Sequence, residues 1–150
     1  MNRKERMAAT LSGQKPDRVP VGMWYHYSPS LNAAQAADAH FDYVRSVDLD
    51  MIKIMYDNIY SLEEPIHQAS DWCKIKPQGT NSKYYQKQCD ILRRLAEKGA
   101  GEYPIWMTMF GAFKFAVMAS SDALVMAHCR ENPDAVAAGV SAIADSLCVS

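Results

Sequence analysis

The chain contains no uninterrupted apolar stretch near the roughly 18 residues that a membrane span requires, and its basic opening, MNRKERMAATL, lacks the apolar core of a secretory signal. A cytosolic protein is therefore expected. There is no cationic surplus either: 16 Lys and Arg stand against 17 Asp and Glu, for a net charge of −1. The basic residues are scattered, so neither nucleic acid nor a membrane is expected as a partner. Cys73, Cys89, Cys129 and Cys148 form no CxxC or HxC pair, which excludes a local zinc knuckle and a dithiol redox motif. Four buried or half-buried reduced thiols are expected, and no metal ligand is assigned. His26, His40, His67 and His128 are equally dispersed, and between Val19 and Val44 there is neither Arg nor Lys.

What is present is enough apolar material for a core, 49% of 150 residues, in a chain sized for one domain. Its most informative stretch is MIKIMYDN, residues 51–58, where an apolar run stops abruptly at Tyr56-Asp57-Asn58. A strand that is apolar at nearly every position suits a sheet covered by helices on both faces, which favours parallel pairing. In parallel α/β proteins the carboxyl ends of the strands carry the chemistry. Asp57 is accordingly the first candidate for a working residue; the plainer alternative is an Asp that caps a turn.

Around that strand, helical periodicity or capping marks residues 3–12, 31–46, 82–98, 112–120 and 122–130, and a last helix is opened by Asn132-Pro133-Asp134. Met7, Ala8 and Leu11 are expected on the inner side of the first helix, and Tyr85, Cys89, Leu92 and Leu95 or Ala96 on that of the third. Extended runs are expected at 21–25, 51–55 and 104–110, and QKPDRVP, residues 14–20, is a connector because of its two prolines. Residues 59–81, holding Pro65, Trp72, Pro77 and Gly79, are irregular. Loops of that length inside compact domains are functional or carry small extra elements. Trp24, Tyr25, His26 and Tyr27 give the end of the first extended run an aromatic wall suited to a flat or partly apolar ligand. Three strand-plus-helix units fall well short of a closed eight-stranded barrel, so in a barrel this chain is the smaller part and the remainder follows Ser150.

The opening MNRKERMAATLSGQKPDRVPVGMW resembles the start of proteins in the uroporphyrinogen decarboxylase superfamily, where a short helix, a glycine and a K-P-D-R-V-P-V connector lead into the first barrel strand. VDLDMIKIMYDN looks like the second strand with its aspartate and DWCKIKP like the connector before the third helix. PIWMTMFGAFKFAVMAS resembles the third strand with the loop and helix after it, and ENPDAVAAGVSAIADSL the helix before the fourth strand. The resemblance covers the chain in order and implies the fold: an α/β chain, residues 1–150 being the N-terminal part of a (β/α)8 TIM barrel, with parallel strands and flanking helices.

In the decarboxylase branch the resemblance implies cofactor-free removal of carboxylate from a tetrapyrrole. An aspartate at the second strand's end, matched by Asp57, stabilises the protonated pyrrole; Trp24, Tyr25, His26, Tyr56 and Phe110 are expected as substrate neighbours from their own places at the ends of the extended runs. That branch carries two arginines in the first strand, where this chain has VGMWYHYSP. The other branch implies zinc-dependent methyl transfer between a corrinoid protein and a thiol, with the zinc ligands in the part beyond this chain. A non-enzymatic alternative is an inactive fragment, or a binding module that forms a homodimer to complete a layered core.

Overall fold

A computed structural model describes residues 1–55 and 62–148. Tyr56 and Asp57 lie outside the described residues. The elements run α1 (Arg3–Leu11), α2 (Ala33–Ser46), β1 (Ile52–Ile54), a 3-10 helix (Ala69–Lys74), α3 (Lys83–Gly99), β2 (Ile105–Met107), α4 (Ala112–Ala119), α5 (Asp122–Glu131) and α6 (Pro133–Leu147). The architecture is mixed α/β: helices with a small sheet in which β1 and β2 pair in parallel, Ile52 with Ile105, Lys53 with Trp106 and Ile54 with Met107. No helix among the described residues is long and apolar enough to cross a membrane.

The helix starts are local events written in the sequence. Asn2 and Asn32 each accept from the backbone N–H of the residue three further on, Glu5 and Gln35, whose side chains accept in return from the cap N–H. Each reciprocal pair satisfies two donors that a helix start otherwise leaves open. Ser121 and Asn132 cap α5 and α6 in the one-sided form. Gly13 ends α1 at a φ of +70°, the left-handed conformation that glycine adopts without strain.

Two compact units divide the chain, Met1–Asp57 with Lys87–Met109, and Asn58–Gln86 with Phe110–Ser150. In the first, Ile52 and Ile54 of β1 are buried beneath Ala36, Ala37 and Val44 of α2, Ile91 and Leu95 of α3, and Tyr103. Single-sided helices burying apolar stripes on a strand pair is how such a unit gains most of its stability. The inner faces differ from the sequence reading in three places. On α1 the buried residues are Arg6, Met7 and Ala9, while Ala8 is exposed and Leu11 is 70% exposed, because the Arg6 guanidinium turns inward to two carboxylates. On α3, Gln88, Ile91 and Leu95 face in, and Cys89 and Ala96 face out. Cys73 and Cys148 are exposed as well, and only Cys129 is half-buried; all four thiols are free.

The third difference is the expected first strand. Residues 21–25 are extended but form no strand. Asp50 N–H donates to Val21 O at 2.9 Å and the Asp50 side chain accepts from Val21 N–H at 2.8 Å, which begins a ladder. It goes no further because the rings of Tyr25 and Tyr27 turn to Tyr43 and His40 on α2, at centroid distances of 5.6 and 4.6 Å.

In the second unit α6 packs on the 3-10 helix, α4 and α5. Trp72 is fully buried, and its indole N–H donates to Nδ1 of the buried His128 at 3.1 Å, tying the 3-10 helix to α5. A Cβ at Gly139 would lie 2.8 Å from Trp72 O and 3.0 Å from its Cε3. Backbone cannot swing aside, so Gly139→Ala is expected to cost about 2 kcal/mol: overpacking at roughly 3, less the roughly 1 that alanine gains over glycine in a helix. A urea titration checks this, and an unchanged or raised midpoint would contradict the close fit.

Candidate functional site

The carboxyl edge of β1 and β2 is set by their parallel register. Ile52 N–H donates to Pro104 O at 2.9 Å and Thr108 N–H to Ile54 O at 3.0 Å, so Met55 and Thr108 leave the pair side by side. A third segment runs beside α2. It starts with Val21 beside Asp50, passes Tyr43 with Tyr25 and His40 with Tyr27, and so climbs α2 from its end towards its start. The short link from α2 to β1 makes that the direction in which β1 runs.

Along this segment Trp24 stands edge-on to His26 at 4.9 Å, and Tyr25 lies 5.3 Å from Tyr27. Trp24 and Tyr25 are 47% and 56% exposed, unlike rings that belong to a core. Tyr27 holds the wall in place, donating from its hydroxyl to Ala39 O at 2.9 Å. Trp106, Met107 and Met109 add exposed apolar surface along β2. Phe110 belongs to the second unit, where its ring meets Phe115 edge-on at 6.0 Å.

At the opposite end of β1 sits a charge cluster. Asp50, with no exposed surface, accepts from Arg6 Nη1 at 2.6 Å, from both terminal nitrogens of Arg18 and from Val21 N–H. Asp17 takes the rest of Arg6, from Nε at 2.7 Å and Nη2 at 2.9 Å. Burial pushes the Asp50 carboxyl up, but Val21 N–H and the two guanidiniums outweigh it and hold it below the usual carboxylate range. The hydrogen bond from Arg6 likewise lowers Asp17, against some desolvation. The cluster pins the 14–20 connector to the start of β1 and so aims the aromatic segment. It also consumes Arg6 and Arg18, the cations that flank the start of that segment.

The second unit holds a cavity that the sequence reading did not resolve beyond noting an irregular stretch. It measures about 560 Å³ and is lined by residues between Leu62 and Gln78. The available signal was the Asp71-Trp72 pair, one residue making local hydrogen bonds beside one too large to leave in solvent. Among the described residues no group of three or more His, Cys, Asp or Glu is placed to hold a metal ion. Compared with protein-family models, curated proteins and solved structures, the chain matches none.

Proposed function

We propose that this chain belongs to a barrel enzyme of the uroporphyrinogen decarboxylase type. It would act on a flat tetrapyrrole-related substrate at the carboxyl edge of its parallel strands. The observation that carries the reading is the exposed wall of Trp24, Tyr25 and His26 on the segment that starts beside Asp50, since stacking on exposed rings is how a protein holds a flat ligand. Asp57, three residues beyond Ile54 in the sequence, is the anion that would face positive charge on a protonated pyrrole, and Tyr56 is its neighbour. Phe110 enters as the residue that ends the extended run 104–110. On this reading the decarboxylation needs no cofactor.

The second reading is methyl transfer from a corrinoid protein to a thiol, with zinc. It is favoured by the engagement of Arg6 and Arg18 with Asp50, which leaves those two cations unavailable to a polycarboxylate. The described residues supply no zinc-ligand set, so no step is assigned to the metal here.

Titration with an eight-carboxylate porphyrin, a two-carboxylate porphyrin and a cobalamin, followed by tryptophan fluorescence, separates the readings. Saturable quenching by a porphyrin that falls by more than half in Trp24→Phe is the expected result. A response to the cobalamin alone would favour methyl transfer. No saturable change with any of the three would remove both readings.

A further inference from the structure

The cavity between Leu62 and Gln78 is built to stay open. Asp71, 8% exposed, accepts from the backbone N–H groups of His67 and Gln68, both at 3.0 Å, and from Lys74 Nζ at 2.7 Å. These bonds fix the turn into the 3-10 helix, and the next residue, Trp72, is locked into the helical core through His128. The wall is thus held from behind, and collapse would break a buried hydrogen bond and strand its acceptor. At about 560 Å³ the space is in the range of small-molecule sites, roughly 300 to 1,000 Å³.

Its lining decides what it would accept. Ile66, Ile75 and Pro65 supply apolar surface. Of the charged groups, Lys74 is answered by Asp71. Glu63 and Glu64 make no hydrogen bond or ion pair among the described residues; Lys76 lines the same cavity, and Lys74, although bonded to Asp71, also feels the charge of Glu64. With three carboxylates and two ammonium groups around it, the cavity is negative by one charge. An anion would meet repulsion there, and a cation would restore balance.

We propose that this cavity binds a small organic ammonium ion with an apolar body. The proposal does not rest on the tetrapyrrole reading. A bare metal ion fits less well, because no chelating group of His, Cys, Asp and Glu is gathered among the described residues and apolar surface would be left unfilled.

The test uses two probes of one shape and opposite charge, phenethylammonium and 3-phenylpropionate, titrated into the chain and followed by amide NMR shifts. Saturable shifts concentrated in residues 62–78 are expected for the ammonium, with the carboxylate at least tenfold weaker. Glu63→Gln with Glu64→Gln should weaken the ammonium at least fivefold while leaving the melting temperature unchanged, because both side chains are exposed. Equal or tighter binding of the carboxylate, absence of saturable shifts in 62–78, or undiminished binding to the double variant would each overturn the proposal.

Discussion

Asp50→Ala is expected to lower the stability of the chain by about 3 kcal/mol, the scale for removing one partner from a buried charge cluster. Exposed ion pairs are worth about 1 kcal/mol or less, so burial decides which regime applies. Asp50 has no exposed surface and accepts four separate donors from Arg6, Arg18 and Val21. Alanine would leave Val21 N–H without its acceptor and one terminal nitrogen of Arg6 facing a cavity. Arg18→Gln is the matched control. Its side chain is 46% exposed, and Arg6 and Val21 N–H still hold the buried carboxylate without it, so the loss there should be smaller than in Asp50→Ala.

Acid provides a second readout of the same cluster. Asp50 and Asp17 titrate below their ordinary range in the folded chain. Their stabilisation is therefore complete above the unfolded carboxylate value, about pH 4, and is lost as pH falls through the lower folded values. Stability should drop steeply below pH 4 in the parent chain and less steeply in Asp50→Ala, which has one fewer proton to take up. Urea midpoints between pH 2 and 7 measure both effects. A loss under 1 kcal/mol at pH 7, with an unaltered acid slope, would show that the cluster does not fix the connector.

What could be read from sequence follows from how local the determining interactions are. The helices were legible from apolar residues recurring at helical spacing, and α6 also from its Asn132-Pro133-Asp134 start, because such signals act within about four residues. β1 and β2 were legible as short apolar runs, and their parallel pairing from the lack of alternation in β1. Residues 21–25 carry the same apolar and aromatic signature, yet the segment's partner is chosen by rings packing across 13 and 18 positions of sequence, and α2 won. The inward turn of Arg6 was hidden for the same reason, since its partners are Asp17 and Asp50. The grouping of Trp24, Tyr25 and His26 was readable because neighbours in sequence stay neighbours in space. The cavity at 62–78 was not, because it depends on Asp71 bonding backward to His67 and Gln68 while Trp72 turns the other way.

On the proposed tetrapyrrole reading, replacing Asp57 with Ala is expected to cut turnover at least a hundredfold. The argument is electrostatic: a fixed carboxylate aimed at a ring that becomes cationic stabilises the transition state more than the neutral ground state. Removing one such preorganised group typically costs about 10² to 10³ in rate, or about 3 to 4 kcal/mol of barrier. The loss should fall on kcat with KM little changed, because the charge it answers forms only during reaction. Asp57→Asn keeps an acceptor for pyrrole N–H and removes the charge, so it should recover binding but little of the rate. Stability should move by no more than about 1 kcal/mol if Asp57 stands at the strand edge outside the core. Turnover within threefold of the parent, or unfolding in step with inactivation, would make Asp57 a turn-capping residue and leave the wall of Trp24, Tyr25 and His26 as a binding surface alone.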